Sequence, residues 1–560
     1  MTSFDDILEE VGAFGGCQKR IFALFCLVSV PWAGVYVGIV FQGFTPDHWC
    51  RDGAVERWRV SCDRTPADGR RLTAPLVNVS GELQRSSCEQ YDVDWNATLA
   101  CDTQKLDLSG TPTKPCAGGW EYDYEGRRSF VTEFDLVCDD AWLMDMFQAV
   151  LNVGFLLGSI AIGYLADRFG RKLSFVMSNV FNGVAGILVA VAPNYVSMLI
   201  FRMLFGFGVK GGWMAGYVLI TEIVGVESRR TVGVVYQMFF SVGLLLLPLL
   251  AYFITDWRWL QVVITVPYFL YILYYWFIPE SPRWLLSQNR KSEAVAITEA
   301  MAKENNKTLS KNIETLTDDN ADSSSSASMM DLIRTPKMRK HTFILSYNWF
   351  TSAVVYQGLI MRLGIMGGNV YISFLISALV EFPAAFLILF TIERMGRRLP
   401  FAAANGVAGA ACFITAFLHD GWLKTAVACV GRLGITMTFE MVVFVNTELY
   451  PTFVRNLGVS VCSTLCDVGG IVAPFLLYRL AVIWLELPLI IFGFLAFLAG
   501  GLVLMLPETR GVPLPDTIDD VEHPEKMKQK ATEKQQQQLS SKLLPNTNGS
   551  ISTNREPASV

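Results

Sequence analysis

The sequence reads Gly163-Tyr-Leu-Ala-Asp-Arg-Phe-Gly-Arg-Lys172 in its first half and Thr391-Ile-Glu-Arg-Met-Gly-Arg-Arg398 in its second half. Two further motifs recur at the same separation of about 228 residues, which is the signature of an internal repeat. Arg202-x-x-x-Gly206 returns as Arg432-x-Gly434, and Pro279-Glu-Ser-Pro-Arg283 returns as Pro507-Glu-Thr-Arg510. Three landmarks that share one offset indicate a duplicated unit.

Each unit contains six apolar stretches, and a bilayer-spanning helix needs about 20 apolar residues. The predicted spans cover 21–43, 141–165, 173–192, 197–220, 232–254, 259–278, 342–361, 370–391, 399–418, 424–447, 456–478 and 485–507. Parallel repeats of membrane helices enclose a solute site near the middle of the bilayer. The sequence therefore predicts an all-α membrane protein, with twelve transmembrane helices in two six-helix repeats, that transports a solute.

Basic residues predict the orientation of the spans. Turns rich in Arg and Lys follow spans 2 and 8, and such turns stay on the cytosolic side. Both termini are therefore predicted to be cytosolic. The predicted parts are a cytosolic N-terminus 1–20, a first bundle 21–278 that includes the extracellular loop 44–139, a cytosolic loop 279–341, a second bundle 342–507 and a disordered cytosolic tail 508–560.

The predicted extracellular loop has the composition of a secreted domain. It contains six of the chain's 12 cysteines, at Cys50, Cys62, Cys88, Cys101, Cys116 and Cys138. An even set in an oxidising compartment predicts three disulfides, but six cysteines allow 15 pairings. The sequons at Asn78 and Asn96 predict glycosylation of the same loop.

Three carboxylates lie within predicted spans of the second half, and they are the first candidates for a substrate site. Asp467 lies in span 11, Glu381 in span 8 and Glu440 in span 10. An ionised carboxylate in hydrocarbon costs several kcal/mol and persists where it meets a cation, a partner or water. The alternatives are a buried ion pair with Lys210 or Arg432, or a protonated acid.

Aromatic and polar residues in the spans extend the candidate site. Aromatic faces attract organic ammonium groups and also pack against their apolar parts. Any single aromatic in such a chain is more often a packing residue. The candidates are Tyr36, Trp213, Gln237, Trp349, Tyr356 and Phe439.

Charges at the cytosolic ends of spans are the candidates for a gate. Such charges pair across the two halves of a carrier and close one face, although they also serve the topology alone. The residues are Asp167, Arg168 and Arg171 in the first half, and Glu393, Arg394 and Arg397 in the second half.

Several motifs resemble those of a known family. The stretch Gly163–Lys172, the motif after span 6, the Cys-rich first loop and Leu506-Pro-Glu-Thr-Arg510 resemble the major facilitator superfamily, and within it the organic cation/anion/zwitterion transporters. Thr132-Glu-Phe-Asp-Leu-Val-Cys138 and Tyr347-Asn-Trp-Phe-Thr-Ser352 resemble the polyspecific organic cation branch. The second half is most similar to the extraneuronal monoamine type, and parts of the first half to its sister types.

The resemblance implies a function and a set of roles. It implies that the acid at Asp467 marks a cation carrier. It also implies that a central cavity is lined by Glu381, Glu440, Tyr36, Trp213, Gln237, Trp349 and Tyr356. It also implies electrogenic, sodium-independent uniport of organic cations and monoamines across the plasma membrane. The expected ligands are small organic cations, with membrane lipid around the helices, a homo-oligomer left open, and no nucleic acid, cofactor, metal or enzyme activity.

Other classes of carrier share parts of this pattern. A sodium-coupled carnitine or zwitterion carrier and an organic anion carrier have the same fold, and Asp467 argues against the anion carrier. A sugar–proton symporter uses the same turn motif. A receptor-like protein that binds a ligand without transporting it stays an open alternative, which a measurement of flux would separate.

Overall fold

The computed structural model describes residues 4–79, 82–98, 101, 108, 110–123, 126–309, 329–363, 369–419, 421–451, 454–510, 515 and 518–523. Most of the tail and residues 310–328 of the predicted cytosolic loop lie outside these ranges. The expectation that the tail is disordered therefore concerns residues that are mostly not described.

Long helices form at all twelve predicted positions. Ten segments are long and apolar enough to cross a membrane, Leu487–Val503 is a shorter apolar helix, and Pro336–Arg362 occupies the position of span 7. The twelve spans are Gly16–Val37 with Ile39–Gln42, Trp142–Phe169, Arg171–Ala190, Tyr195–Ile223, Val226–Phe253, Trp257–Leu270 with Tyr271–Leu273 and Tyr274–Phe277, Pro336–Arg362, Val370–Leu379 with Glu381–Arg394, Arg398–Phe417, Trp422–Leu449, Arg455–Ile483 and Leu487–Val503. The predicted two-repeat, twelve-helix fold is confirmed.

Glycines allow spans 2 and 4 to pack in backbone contact. A Cβ added at Gly154 would lie 2.2 Å from the carbonyl oxygen of Met203, and one at Gly158 would lie 2.2 Å from that of Phe207. In a membrane, helix association relies on such close packing, because lipid tails are as apolar as the side chains. At these two positions a side chain on span 2 would have no room against the backbone of span 4.

The predicted extracellular loop folds into a small disulfide-linked domain, and the end of the bundle that carries it is called the loop end below. The disulfides are Cys50–Cys116, Cys62–Cys101 and Cys88–Cys138, so the prediction of three is confirmed. Antiparallel strand pairs join His48–Cys50 to Trp120–Tyr122, Leu76–Val79 to Glu82–Arg85 and Glu89–Tyr91 to Thr113–Pro115. Short helices cover Gly53–Ser61, Pro66–Thr73, Trp95–Thr98, Phe130–Glu133 and Cys138–Asp140.

Of the two sequon asparagines in this domain, only Asn96 has a described side chain. Asn96 is exposed, and its side-chain oxygen accepts a 2.9 Å hydrogen bond from Arg57. The side chain of Asn78 lies outside the described set. An exposed Asn96 is compatible with the predicted glycan, which stays a prediction.

Short helices form a layer at the opposite end of the bundle, called the basic end below because the Arg-rich turns after spans 2 and 8 lie there. They cover Phe4–Val11, Pro282–Ser287, Lys291–Glu304, Met329–Leu332 and Ile518–Glu522. The N-terminal helix packs against Lys291–Glu304, and its side chains Ile7, Leu8 and Val11 are fully buried. The backbone of Cys17 is held by the Asn305 side chain at 2.9 Å, so the N-terminus is fastened to this layer.

The two six-helix halves meet along two pairs of spans. Span 2 runs against span 11, and span 5 runs against span 8. The Asn152 side chain donates to the carbonyl of Gly470 at 3.1 Å in the middle of the first pair. Nearer the loop end, Arg479 and Asp145 form an ion pair of 2.7 Å between the halves.

We expect Gly158→Val to separate spans 2 and 4, because the added side chain would collide with the backbone of span 4 at Phe207. Overpacking of this kind costs about 1–3 kcal/mol. The melting temperature of the purified protein in detergent should fall by several degrees. Gly501→Val in span 12 is the control, since nothing lies within 4 Å of its added Cβ. Equal melting temperatures for the two variants would contradict the close packing of these spans.

Candidate functional site

A cavity lies between the two halves, midway along the spans. Eight of the twelve spans contribute to it, four from each half. The lining residues are Trp32, Tyr36, Asn152, Lys210, Trp213, Val234, Gln237, Met238, Phe240, Ser241, Tyr356, Glu381, Ala385, Thr436, Phe439, Glu440, Cys466 and Asp467. The three predicted carboxylates are therefore brought together, as are Tyr36, Trp213, Gln237, Tyr356 and Phe439.

Asp467 is paired with Lys210 across the interface between the halves. The Lys210 ammonium lies 3.1 Å from the Asp467 carboxylate, and the Asp467 side chain is only 5% exposed. Lys210 belongs to span 4 and Asp467 to span 11, so this ion pair joins the two repeats. The alternative of a buried ion pair, left open by the sequence, is the arrangement observed for Asp467.

Glu381 is fully partnered by three donors. The Arg432 guanidinium lies 2.5 Å from one oxygen, the Tyr356 hydroxyl donates to the same oxygen at 2.8 Å, and the Ser241 hydroxyl donates to the other at 2.7 Å. The Arg432 guanidinium also lies over the Tyr356 ring, 3.8 Å from its centroid. Glu381 of span 8 thus joins three side chains, from spans 5, 7 and 10.

Glu440 is different from the other two carboxylates. It lines the cavity, and among the described residues it has neither an ion pair nor a hydrogen bond. Lys210 balances Asp467 and Arg432 balances Glu381, so Glu440 leaves the site with one negative charge in excess when all five groups are ionised. A cation is the ligand that such a site favours.

Aromatic rings form a continuous wall on both sides of the cavity. Tyr36 stacks on Trp32 with ring centroids 6.2 Å apart and meets Tyr356 of the other half at 6.4 Å. Trp213 stacks on Trp32 at 5.7 Å, and Phe439 packs against Tyr356 at 5.5 Å. These faces can hold both the charge and the apolar part of an ammonium compound.

The residues that line the cavity differ from the predicted set at a few positions. Trp349 is not among the lining residues; it contacts the edge of Phe439, with centroids 6.0 Å apart. Trp32 and Asn152 line the cavity and were missed. Trp32 lies one helical turn before Tyr36, and Asn152 is an amide within an apolar span, so both carried a signal that periodicity could have found.

The candidate gate residues are paired within their own halves. Arg171 contacts Asp167 at 2.7 Å and Glu222 at 3.3 Å in the first half, whereas Arg397 contacts Glu448 at 3.2 Å in the second. Arg171 and Arg397 each find their acidic partners within their own half. The prediction of pairing across the halves therefore stays a prediction for another conformation.

The remaining gate candidates make weaker contacts. Arg168 donates to the Tyr164 hydroxyl at 3.4 Å, and the Arg394 guanidinium lies 4.1 Å from the centroid of Phe390. The side chain of Glu393 lies outside the described set. None of these contacts identifies a partner in the opposite half.

The repeated motifs contact each other inside each half. The backbone N–H of Arg171 donates to Glu280 at 3.0 Å, and that of Arg397 donates to Glu508 at 2.9 Å. Burial raises the pKa of Glu508, but hydrogen bonds from the backbone of Arg397 and Arg398 outweigh burial and hold that pKa below its usual value. The carboxylate of each late motif thus caps the helix that begins at the Arg-rich turn.

The fold and the cavity define a two-repeat membrane carrier, which is a transporter and not an enzyme. A family model described as "Sugar (and other) transporter" matches residues 101–518. Solute carrier family 22 member 2 of Oryctolagus cuniculus is 53% identical over 93% of this chain and 96% of its own length. Member 3 of Rattus norvegicus is 51% identical over 93% of this chain and 96% of its own length. The chain belongs to the sugar (and other) transporter family and, within it, to solute carrier family 22.

A solved structure agrees with the fold. The inward-open xylose transporter XylE of E. coli gives a TM-score of 0.57 at 17% identity, covering 71% of this chain and 93% of that chain. The predicted resemblance to the organic cation transporters of the major facilitator superfamily is confirmed. Members 1, 2 and 3 all match at 51–53% identity, so identity does not distinguish a subtype.

We expect Glu381→Gln to destabilise the protein, because it leaves the Arg432 guanidinium buried without its counter-charge. Removing one partner of a buried ion pair costs about 3–5 kcal/mol. Glu440→Gln is the matched control, since Glu440 has no described partner to lose. Thermal unfolding in detergent, with cell-surface protein as a second readout, should show a clear fall for Glu381→Gln alone. Equal falls for both variants would show that Glu381 is not a stabilising centre.

Proposed function

We propose that the chain is a polyspecific carrier that moves organic cations, monoamines among them, by electrogenic, sodium-independent uniport. The observation that carries this proposal is the charge balance of the cavity, where three carboxylates meet two basic side chains. A monovalent cation completes that balance, whereas an anion adds a second unpaired charge in a poorly hydrated place. Membership of solute carrier family 22 supports the same class of substrate.

Glu440 and Asp467, the two carboxylates that do not pair with Arg432, have distinct roles in this proposal. Glu440 supplies attraction to an arriving cation, because no described group neutralises it. Asp467 is shared, since the cation competes with the Lys210 ammonium 3.1 Å away. Competition weakens the ion pair between spans 4 and 11, so that binding is coupled to movement of the halves.

The aromatic wall accounts for polyspecificity. Tyr36, Trp213, Tyr356 and Phe439 offer ring faces, and each cation–π contact contributes about 0.5–2 kcal/mol. Stacking surfaces accept many shapes, because any ring or methyl cluster gains contact area. A site built from directional hydrogen bonds would reject most analogues, since unmatched polar groups are costly.

The membrane potential supplies the driving force without a coupled ion. Moving one charge through the field changes its energy by about 2.3 kcal/mol per 100 mV. An inside-negative potential of about 60 mV therefore supports roughly tenfold accumulation of a monovalent cation. The plasma membrane is the proposed location, with both termini in the cytosol, and the three disulfides support an oxidising compartment for the loop domain.

One observation favours a second candidate, a carrier of zwitterions such as carnitine. The Lys210 ammonium lines the cavity and could bind a substrate carboxylate while a carboxylate of the protein binds its ammonium. A coupled sodium ion would distinguish this candidate from the uniporter.

Neutral variants of Asp467 and Lys210 test whether Asp467 meets the cation or only neutralises Lys210. We expect Asp467→Asn to lower uptake of a labelled quaternary ammonium compound about tenfold or more, consistent with loss of a charged contact. Combining Asp467→Asn with Lys210→Met removes the unpaired lysine. If Asp467 meets the cation, the double variant stays impaired at equal surface expression. Full recovery in the double variant would show that Asp467 only neutralises Lys210.

Transport energetics test the uniport proposal in vesicles with a clamped potential. Uptake of a permanent cation should rise as the interior becomes more negative and should not change when sodium is replaced by an inert cation. A permanent cation is used because its charge does not vary with pH. A requirement for sodium would favour the zwitterion carrier, and uptake that ignores voltage would contradict electrogenic transport.

A further inference from the structure

Span 1 is broken where it passes the cavity. Its long helix ends at Val37, a second segment covers Ile39–Gln42, and Gly38 lies between them. Gly38 fits tightly, because a Cβ there would lie 2.2 Å from the carbonyl oxygen of Gly34. The backbone hydrogen bonds described beyond the break resume at Phe41, and none of them ends on the carbonyl of Val35 or Tyr36.

Two side chains from other spans take up these freed carbonyls. The Arg202 guanidinium of span 4 donates to the carbonyl of Val35 at 3.2 Å, and the Gln148 amide of span 2 donates to that of Tyr36 at 3.0 Å. Both side chains are 0% exposed. A carbonyl left without a donor inside a membrane protein is strongly destabilising, so these bonds stabilise the broken form.

Among the described residues, no acidic side chain competes with the Val35 carbonyl for Arg202. It forms no described ion pair, and its guanidinium lies 4.3 Å from the centroid of the Phe147 ring. The corresponding arginine of the second repeat behaves alike, since Arg432 donates to the carbonyl of Tyr356 at 3.1 Å. In each half, an arginine of the fourth helix thus holds the backbone of the first helix beside a cavity aromatic.

The break connects two functional places. On its inner side, Tyr36 belongs to the aromatic wall of the cavity. On its outer side, Phe41 stacks on Tyr371 at 5.6 Å and meets Phe374 edge to face at 5.1 Å, both from span 8 of the other half. The break therefore lies between a contact that lines the cavity and a contact with the other half.

We infer that Gln148 and Arg202 are positioning residues, which fix the break in span 1 and thereby set the place of Tyr36 in the substrate cavity. They act on substrate selection through the backbone and do not contact the substrate. The inference rests on the proposed function for its transport readout only, because a change in the backbone of span 1 can be measured without any substrate.

The transport test compares KM values for a bulky aromatic amine and a small tetraalkylammonium. Gln148→Leu, which removes the donor at similar volume, should change the ratio of the two KM values by about 3- to 10-fold, the effect of one hydrogen bond. Arg202→Lys, which keeps the charge and one donor, should change it less than Arg202→Met. Asn405→Leu is the control, because Asn405 is a buried amide that donates to Phe401 of its own helix at 3.1 Å, away from the cavity.

A double-variant cycle with Tyr36→Ala identifies the route of the effect. If Gln148 acts through Tyr36, then Gln148→Leu changes the ratio in the wild-type background and not in the Tyr36→Ala background. An unchanged ratio in well-expressed Gln148→Leu, or full additivity with Tyr36→Ala, overturns the inference while leaving the proposed function in place. Failure of the wild type to take up either cation would instead contradict the proposed function.

Hydrogen exchange supplies the readout that is independent of transport. In purified Gln148→Leu, the amides of residues 38–43 should exchange faster than in the wild type, and those of Asn405→Leu should not. Equal exchange across residues 38–43 in the wild type, Gln148→Leu and Asn405→Leu overturns the inference. The test uses no Arg202 variant, so it holds even if those variants fail to fold.

Discussion

A charge inside the hydrocarbon region must be paired or solvated, and this constraint organises the middle of the molecule. It places Arg432 against Glu381, and Lys210 against Asp467. The first pair lies within one half and fastens four spans together. The second pair crosses between the halves, so it is the one that a competing cation can open. Glu440 has no described ion pair or hydrogen bond, and when it is ionised it gives the cavity one negative charge in excess. The way each carboxylate is paired thus distinguishes Glu381, which has a structural role, from Asp467 and Glu440, which are available to a ligand.

The duplicated architecture extends from sequence motifs to individual hydrogen bonds. Glu280 and Glu508 cap equivalent helices with equivalent backbone contacts, and Arg202 and Arg432 donate to carbonyls of the first helix in each repeat. The halves nevertheless diverge in charge, because the three carboxylates of the cavity all come from the second half. The first half contributes Lys210 and much of the aromatic wall. Under the proposed function, recognition of a cation therefore depends on residues from both halves.

The sequence predicted the fold because its signals are local and strong. Apolar stretches of the right length, an offset shared by three motifs and six clustered cysteines define the spans, the repeats and the loop domain. The partners of charged residues could not be predicted, since Lys210 and Asp467 are 257 residues apart in the chain. The break at Gly38 was also missed, because its stability comes from donors on spans 2 and 4. Trp349 shares helical periodicity with cavity residues, but the rotation of span 7 leaves it behind Phe439.

The central claim is that the cavity recognises positive charge through carboxylates set among aromatic faces. Equilibrium binding to the purified protein tests it most directly, by comparing a tetraalkylammonium ion with its uncharged analogue in which carbon replaces nitrogen. The two ligands have the same shape, so hydrophobic contact alone would bind them equally. The account predicts that the cation binds about tenfold or more tightly, consistent with a desolvated charge pair, and that Glu440→Gln reduces the difference. Equal affinity for both ligands would contradict the account.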